Sequence, residues 1–289
     1  MKIAISGSSG FIGSHVLKAL RGDPKNEVGL LKWRNDCWEL LTEDGKGGLI
    51  QSESPLDVDV VILVGASTPK DKSQVNDLTS ACSNVNSAFE FTKIPSVGAC
   101  KILYFSTIDV YSFDEVISEN TEPRPSSLYG HAKLFSEMLL KEFAQQKGHE
   151  LSILRVGHVF GPGESEVAKV VPSMLKGSVN LGEIRVFGEG REQRSFLFVR
   201  DLVSMVQEAI RREDIPSLIN LVGSQSCSIA ELAELVSNIS PRETKIIRMR
   251  AAGKPVDQKF DKSLMRRIFR QSQTTLELGL MEELETLQK

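Results

Sequence analysis

The sequence predicts an α/β fold in which helices cover both faces of a parallel β-sheet. Short apolar runs alternate with longer segments of helical periodicity over the first two-thirds of the chain, as in strands that crossover helices connect. The run over 59–64 shows no alternation of apolar and polar residues, which indicates a strand that is buried on both faces. A glycine-rich turn joins the first strand to an amphipathic helix. Together these features predict a doubly wound sheet.

Each element follows from its own periodicity. The predicted strands cover 2–6, 28–31, 59–64, 102–105 and 151–156. The predicted helices, in which apolar residues recur every three or four positions, cover 11–20, 128–144, 201–211 and 229–238. After Gly161-Pro162-Gly163 the elements become shorter and glycine interrupts the chain more often. We therefore expect a first domain over 1–160, to which residues 196–222 return, and a smaller C-terminal α/β domain over 161–289.

The composition argues against several classes of protein. Hydrophobic residues make up 40% and charged residues 25% of the 289 positions, and the formal net charge is -3. The chain therefore has no basic excess with which to neutralise nucleic-acid phosphates. Its four cysteines and four histidines show no disulfide or metal-ligand spacing. No apolar run is long enough to span a bilayer, and the chain begins on a strand instead of a signal peptide. We expect a cytoplasmic protein without a metal site and without a nucleic-acid or membrane partner.

The glycine-rich turn is the first candidate binding site. It reads G-S-S-G-F-I-G over 7–13, and its small residues let the backbone turn tightly and approach a pyrophosphate. The free N–H groups at the start of the following helix would bind that anion. The residues expected to contact a dinucleotide are Gly7, Gly10, Phe11, Ile12 and Gly13. This arrangement predicts a Rossmann-type dinucleotide-binding domain; the alternative is a glycine-rich turn that binds nothing.

Six further motifs follow in order along the chain. They are Ile62–Ala66, Asn84-Val85, Phe105–Tyr111, the Y-x-x-x-K pair Tyr129 and Lys133, Leu154–Gly163 and Arg194–Asp201. With this set, and with G-x-x-G-x-x-G spacing in its turn, the chain resembles the extended short-chain dehydrogenase/reductase family, also called the NAD-dependent epimerase/dehydratase family. The resemblance runs from residue 1 to about 280. It implies an enzyme that modifies nucleotide sugars and binds them in its C-terminal domain. It also implies that Gly65, Ala66 and Val156 line the cofactor site.

Tyr129 and Lys133 form the candidate catalytic pair. Four residues apart on a helix, they share a face. A nearby ammonium lowers the pKa of a phenol from about 10, so the tyrosine can act as an acid or a base near neutral pH. The resemblance implies that Tyr129 transfers the proton, that Lys133 tunes Tyr129 and holds the cofactor ribose, and that Thr107 positions the reacting oxygen. Taken alone, the pair also fits an aromatic residue at a helix start and a solvated lysine.

The end of the second strand bears on the choice of cofactor. It reads L-L-K-W-R over 30–34, and no carboxylate occurs before Asp36. An acidic residue there would bind the ribose hydroxyls of NAD. Lys32 and Arg34 could instead neutralise the 2′-phosphate of NADP, so we expect NADP, with NAD as the alternative. Two exposed basic side chains without a ligand are the other reading. A preference for NADPH favours a net reductase over an epimerase that keeps its NAD bound.

Substrate contacts are expected from His158, Arg194 and Arg250. His158 stands where members of the family commonly have asparagine, and some 4-ketoreductase-like members are similar to this chain there. Arg194 matches an arginine that contacts the nucleotide diphosphate in relatives, and a guanidinium suits a diphosphate; Arg250 aligns only loosely. Each of the three also fits a structural or solvated side chain. The sugar dehydratases place a glutamate beside the catalytic threonine, whereas here the next carboxylate is Asp109, which disfavours a 4,6-dehydratase.

Three functions remain in consideration. The first is an NADP-dependent 4-ketoreductase acting on a nucleoside-diphosphate sugar, in which Tyr129 gives its proton to the forming alkoxide while Thr107 hydrogen-bonds the same oxygen. The second is a nucleotide-sugar 4-epimerase with tightly bound NAD. The third, a non-catalytic dinucleotide-binding protein, is disfavoured because Tyr129, Lys133 and Thr107 are all present. The resemblance also implies a possible homodimer through helices near 76–93 and 128–144, although their apolar positions fit core packing equally.

Overall fold

The structure is a computed structural model that describes residues 1–34, 37–41, 49–50, 56–71, 73–113, 115–164, 169–250 and 256–288. The chain divides into two units. The first comprises Met1–Tyr111, Glu122–Val156 and Val203–Asn220. The second comprises Ser112–Thr121, Gly157–Leu202 and Leu221–Lys289. That the first unit binds the cofactor and the second the substrate stays a prediction.

Strands and helices alternate over the first unit as the apolar pattern predicts. The strands are β1 (Lys2–Ser6), β2 (Glu27–Arg34), β3 (Cys37–Leu41), β4 (Leu49–Ile50), β5 (Val60–Leu63), β6 (Lys101–Thr107), β7 (Glu150–Val156), β8 (His158–Phe160), β9 (Glu183–Phe187), β10 (Gln193–Arg194), β11 (Phe196–Phe198), β12 (Leu218–Leu221), β13 (Cys227–Ser228) and β14 (Lys245–Met249). The helices are α1 (Phe11–Arg21), α2 (Leu78–Phe91), α3 (Leu128–Lys147), α4 (Val170–Leu181), α5 (Val199–Arg211), α6 (Ile229–Ile239), α7 (Ser263–Ile268) and α8 (Leu276–Leu287), with a 3₁₀ turn at Ile108–Val110. Among the described helices, none is long and apolar enough to cross a membrane.

The central sheet confirms the predicted fold class. Its strands lie in the order β12-β7-β6-β5-β1-β2-β3-β4, and those from β7 to β2 run parallel. All four residues of β5 are buried, which explains why that run shows no alternation. The strand order reverses between β1 and β5. In open α/β sheets, ligands bind beyond the carboxyl ends of the strands at such a point.

An antiparallel extension of this sheet is a feature that the sequence did not predict. β3 turns back on β2 and pairs with it, and β4 pairs with β3. Trp33 and Trp38 lie opposite each other in the β2–β3 register, with their ring centroids 5.3 Å apart. Trp38 is buried and its indole N–H donates to the backbone oxygen of Ser87 on α2 at 2.9 Å. The hairpin thus places two aromatic side chains beside the end of β2.

The core of the first unit forms where the sheet meets its helices. Its buried members include Ala4, Leu31, Val61, Ile102, Tyr104, Leu140 and Ile153. They come from five strands and from α3, so the apolar side chains of strands distant in sequence close one core. Burial on this scale stabilises each large aliphatic side chain by about 1.5–3 kcal/mol. This packing fixes where the strand ends meet.

The second unit has a separate core built from short elements. β11 pairs with β8 and β14 with β9, both parallel, whereas β10 and β13 are antiparallel. The buried cluster includes Phe160, Leu175, Ile184, Phe198, Leu232, Val236 and Leu280. A capping box of Ser228 and Glu231 starts α6, because each side chain satisfies a backbone N–H of the other residue. The predicted helix over 229–238 is confirmed as part of α6. The one over 201–211 is confirmed as part of α5, whose residues from Val203 onward belong to the first unit.

Candidate active site

The turn between β1 and α1 has the shape of an anion-binding cradle. Gly7 has a φ of +68°, and a Cβ added there would lie 2.4 Å from the Gly65 nitrogen. A Cβ on Gly13 would lie 2.0 Å from the Gly7 oxygen. Side chains are therefore excluded where the backbone comes closest. α1 begins after Gly10 without a side-chain cap and without an acidic residue in its first turn, so its N-terminal N–H groups and dipole suit a phosphate.

A cavity of about 340 Å³ opens beside this turn, at the carboxyl ends of β1, β2 and β5. It is lined by Gly7, Ser8, Ser9, Leu31, Lys32, Trp33, Trp38, Gly65, Ala66, Ser67, Ser83, Asn84 and Ser87. Glycine backbone, serine hydroxyls, two indoles and one lysine are together suited to a phosphate, a ribose and a flat base. The residues present fit a dinucleotide.

Asn84 holds the loop that forms one wall of the cavity. Its side-chain oxygen accepts from the Ser67 N–H at 2.8 Å, and its amide donates to the Ser67 oxygen at 3.0 Å. The Gly65 N–H donates to the Ser6 hydroxyl at 3.2 Å. Asn84 is buried, and a buried amide contributes most when its polar atoms are satisfied. The loop after β5 is thereby tied to both α2 and β1.

Tyr129 lies in the first turn of α3, next to the end of β6. The Ser127 hydroxyl caps the helix by accepting from the Gly130 N–H at 3.1 Å. A Cβ on Gly130 would lie 2.3 Å from the Asp109 oxygen, so only glycine lets the helix approach the 3₁₀ turn this closely. Thr107 accepts from the Asp109 N–H at 3.1 Å and donates to its carboxylate at 3.2 Å.

The ionisation of Tyr129 differs from the expectation. Burial and the nearby Asp109 carboxylate raise the pKa of Tyr129 above its ordinary value of 10, and a hydrogen bond with Thr107 opposes them only in part. The sequence predicted instead that Lys133 would lower this pKa. The difference arises because desolvation disfavours the phenolate, while Asp109 adds a negative charge that the helix spacing could not reveal.

Lys133 is buried beneath the cavity and faces β6. Its ammonium donates to the Phe105 oxygen at 2.7 Å and lies 4.2 Å from the centroid of the Tyr104 ring. Burial lowers the pKa of Lys133 to about 7, and the Glu137 carboxylate opposes that shift. A second cavity of about 10 Å³ reaches Lys133 and shares Trp38, Gly65, Asn84 and Ser87 with the larger one. Lys133 is therefore the floor of the candidate cofactor site.

A buried ion pair lies behind Lys133. The Arg155 guanidinium donates to both Glu137 carboxylate oxygens, at 3.0 and 2.6 Å, and the Ser106 hydroxyl donates to the same carboxylate. Arg155 also donates to the Tyr111 hydroxyl at 2.7 Å. The sequence reasoning missed this network. The one available signal was a charged residue inside the otherwise apolar strand over 151–156.

The remaining cofactor residues lie around the same strand ends. Phe11 and Ile12 start α1, and Val156 ends β7 opposite Thr107 in register. Lys32 lines the large cavity. The side chain of Arg34 lies outside the described part of the chain, so its proposed role receives no structural account.

Of the residues predicted to contact substrate, Thr107 belongs to the first unit, and His158, Arg194 and Arg250 belong to the second. His158 contacts the Gln258 side-chain oxygen at 2.6 Å, with its ring centroid 5.9 Å from that of Phe196. Arg194 donates to the backbone oxygens of its neighbour and of Val256, at 2.8 and 2.5 Å, and burial lowers the pKa of Arg194. His158 and Arg194 therefore meet the same segment, 256–258. Arg250 is exposed.

Comparisons with known proteins agree with this geometry. The sequence model described as "NAD dependent epimerase/dehydratase family" matches residues 3–221. The chain is 26% identical over 310 residues to "Uncharacterized UDP-glucose epimerase YtcB" of Bacillus subtilis (strain 168), covering 98% of this chain and 97% of that protein. It is also 26% identical over 273 residues to a dTDP-4-dehydro-6-deoxy-D-allose reductase of Streptomyces sp, covering 84% of this chain and 82% of that protein.

A solved structure of similar fold extends over almost the whole chain. It is described as that of "a novel NAD dependent-NDP-hexosamine 5,6-dehydratase, TunA, involved in tunicamycin biosynthesis". The TM-score is 0.83 at 26% identity, and the match covers 99% of this chain and 97% of that chain. These similar proteins include an epimerase, a reductase and a dehydratase by description, so the likeness extends to the fold and the cofactor class.

Proposed function

The chain belongs to the NAD-dependent epimerase/dehydratase family, and from that premise we propose that it reduces the 4-keto group of a nucleoside-diphosphate sugar with NADPH. The observation that carries the reductase reading is the position of Lys32 at the large cavity, where its ammonium would neutralise the 2′-phosphate of NADPH. The ionisation of Tyr129 agrees with this reading. Burial and Asp109 raise its pKa, so the phenol keeps its proton at neutral pH. Reduction needs a group that gives a proton to an alkoxide, whereas alcohol oxidation needs a group that first removes one.

The cofactor would be held by the cradle after β1 and by the large cavity. Gly7, Gly10 and Gly13 leave room for the pyrophosphate at the start of α1. Phe11, Ile12, Gly65, Ala66 and Val156 would complete the walls around the dinucleotide. Lys32 lines the cavity and would face the 2′-phosphate that distinguishes NADP from NAD. Bound there, the nicotinamide supplies a hydride to the sugar carbonyl.

The proton would come from Tyr129. Thr107 accepts from the Asp109 N–H and donates its single hydroxyl proton to the Asp109 carboxylate. In this role the proton would turn from that carboxylate to the carbonyl oxygen and orient it toward Tyr129. The forming alkoxide is a far stronger base than a phenolate, so it takes the phenolic proton even when the pKa of Tyr129 is raised. Lys133, one turn further along α3, would hold the cofactor ribose and, when protonated, offset part of the charge of the phenolate that remains.

The nucleotide sugar would be bound by residues of the second unit. The similarity to a reductase and an epimerase that are described as acting on dTDP- and UDP-linked sugars supports this substrate class. Arg194 can place a guanidinium on the diphosphate, and His158 can hydrogen-bond the sugar. Arg250 is exposed and is the second basic side chain proposed for the diphosphate.

A 4-epimerase with tightly bound NAD is the second candidate. The relative described as a UDP-glucose epimerase, which matches nearly the full length of both chains, favours it. An epimerase uses its dinucleotide transiently and returns it unchanged, so the purified protein would retain NAD. A reductase would instead consume free NADPH. A non-catalytic dinucleotide-binding protein would do neither.

Turnover is the direct test of the reductase. We expect the purified protein to oxidise NADPH when a 4-keto nucleoside-diphosphate sugar is added. The loss of nicotinamide absorbance measures this oxidation. Tyr129→Phe removes the donated proton but keeps the ring, so turnover should fall by about 10²- to 10⁴-fold while NADPH binding persists. Unchanged turnover in Tyr129→Phe would remove Tyr129 from the chemistry. Release of NAD on denaturation of the wild type, without NADPH consumption, would refute the reductase and favour the epimerase.

Cofactor preference is the second test. In a fluorescence titration, wild type should bind NADPH more tightly than NADH, and Lys32→Glu should reduce that preference by about tenfold or more, the equivalent of about 1.4 kcal/mol. Lys18→Glu, which makes the same charge change at an exposed position of α1, is the matched control and should leave the preference intact. A wild type that prefers NADH would overturn the NADP assignment.

We also propose that the chain forms a homodimer through α2 and α3. These helices pack side by side in the first unit and expose Phe89, Phe135 and Met138, at 46%, 49% and 58%. Large apolar side chains on adjacent helices favour contact with another protein surface. A single monomeric species in sedimentation velocity at micromolar concentration would refute the dimer.

A further inference from the structure

The ion pair behind Lys133 has a place in the site that packing alone does not require. Glu137 follows Lys133 by four residues on α3, so the two side chains lie on one face of the helix. Both are almost fully buried, with exposures of 4% and 2%. A carboxylate and an ammonium in so dry a region interact strongly, because water does not screen them.

The Glu137 carboxylate is fixed in direction. Arg155 on β7 grips both of its oxygens, at 3.0 and 2.6 Å, and Ser106 on β6 donates a further hydrogen bond. Arg155 is fixed in turn by the Tyr111 hydroxyl, which donates to the Asn220 side chain at 3.0 Å. Bidentate pairs of this kind are rigid as well as strong. The Glu137 carboxylate therefore holds one position, next to the Ser106–Phe105 segment of β6 whose Phe105 oxygen binds Lys133.

The surroundings of Lys133 otherwise disfavour its charged form. Apart from the Phe105 oxygen and the Tyr104 ring, Lys133 lines the small cavity. Burial lowers the pKa of Lys133, and Glu137 is the group that raises it. Among the other ionisable groups nearby, Asp109 acts on Tyr129, and Arg155 is engaged with Glu137.

We propose that Glu137 is a positioning residue whose carboxylate, clamped by Arg155 and Ser106, favours the protonated form of Lys133, one helical turn from Tyr129. This inference rests on the proposed function, because it gives Lys133 a role in the reaction of Tyr129. Arg155 and Ser106 act through Glu137, and none of the three touches the substrate. The pair is then part of the proton chemistry, in addition to tying β7 to α3.

Two variants isolate the charge of Glu137. Arg155→Met removes the guanidinium, and the double variant Glu137→Gln, Arg155→Met differs from it only in the carboxylate. Removing both charges of a buried ion pair with residues of similar volume is often neutral for stability, and the new amide oxygen at position 137 can still accept from Ser106. The double variant is therefore expected to fold. Glu142→Gln, which removes an exposed carboxylate from the same helix, is the matched control.

The measurement is the titration of Lys133 in the cofactor-free protein. Lysines labelled with ¹³C at Cε report their own ionisation by NMR, and the Lys133 signal is identified by its loss in Lys133→Met. In the double variant the pKa of Lys133 should be lower than in Arg155→Met, and lower than in wild type, by about one unit or more. The control should titrate as wild type does. If Arg155→Met does not fold, the comparison of the double variant with wild type decides the matter.

Equal titration of Lys133 with and without the Glu137 carboxylate would overturn the inference. Because this titration needs no turnover, it separates the inference from the proposed function: a shifted Lys133 in a protein that never consumes NADPH would leave the inference standing and refute the reductase. Where turnover is present, its decline with rising pH should begin at lower pH in the double variant. A uniform loss of turnover at every pH, with the decline in its wild-type position, would assign the pair to structure alone.

Discussion

Two carboxylates, one in each unit, are buried to a similar extent but differ in their partners. Glu137 in the first unit accepts hydrogen bonds from the Nε and Nη2 groups of Arg155. Glu283 on α8 in the second unit is 2% exposed, and neither of its carboxylate oxygens finds a hydrogen-bond partner among the described residues. Burial of a carboxylate therefore does not dictate its chemistry. Its partner does.

The neighbours of Glu283 make the contrast sharper. Burial, reinforced by the Glu164 carboxylate, raises the pKa of Glu283 from its ordinary 4.5 to about 8. The Gly161 amide and Lys176 oppose this shift, although the amide does not reach hydrogen-bond geometry. Glu164 forms an ion pair with Lys169 at 3.0 Å. At neutral pH, Glu283 therefore keeps a proton, since two adjacent carboxylates in a dry region cannot both ionise easily.

The largest expected effect comes from breaking the satisfied pair. Arg155→Met leaves Glu137 buried without its counter-charge and should lower the free energy of unfolding at pH 7 by roughly 3 to 5 kcal/mol. Urea denaturation followed by circular dichroism measures it. Arg124→Ala is the control, because its ion pair with Glu122 at 2.8 Å is exposed, at 72% and 75%, and such pairs contribute less than about 1 kcal/mol. Equal losses in the two variants would show that the buried pair is not special.

The second effect concerns the unpaired carboxylate and runs in the opposite direction. An acid whose pKa is higher in the folded chain binds a proton that the unfolded chain releases. The free energy of unfolding therefore falls as pH rises from about 4.5 to about 8 and is level outside that window. Glu283→Gln keeps the shape of the protonated form without its titration. Between pH 5 and 8 it should lose about 3 kcal/mol less unfolding free energy than wild type.

Parallel pH slopes of wild type and Glu283→Gln in urea unfolding would contradict the proton on Glu283. Glu282→Gln, at the neighbouring position of α8, is the matched control. Glu282 is half-buried and forms an ion pair with Arg200. The free energy of unfolding of Glu282→Gln should therefore change with pH much as that of wild type does. These measurements, together with the Lys133 titration, would establish whether a partner or burial decides the ionisation of each carboxylate.

Much of the first unit could be predicted because its signals are local. The apolar run over 59–64 and the glycine turn over 7–13 are short patterns whose meaning depends on adjacent residues, and both were confirmed as structure. Tyr129 and Lys133 share a helix face by spacing alone. The β2–β3 hairpin was missed because strand pairing depends on which residues lie opposite each other, as Trp33 and Trp38 do.

The charged core residues could not have been found from the same patterns. α8 carries three glutamates within four residues, Glu282, Glu283 and Glu285. This pattern is typical of a solvated segment, yet only Glu283 of the three is buried. Which glutamate enters the core depends on how the helix is rotated against its neighbours. Arg155 is a charged residue within an otherwise apolar strand, which indicates a buried partner. The local sequence does not identify Glu137 as that partner, because the two residues lie on separate elements, β7 and α3.

The sequence by itself determined the α/β fold class, the order of the main elements of the first unit, the cradle at Gly7 and the family to which the chain belongs. Tertiary structure alone decided which charges are neutralised, where Asp109 raises the pKa of Tyr129, and why Glu137 is paired while Glu283 is not. The physical reason is one of range. Backbone propensity and apolar periodicity act over a few residues, whereas ionisation responds to every charge and dipole that folding brings within a few ångströms.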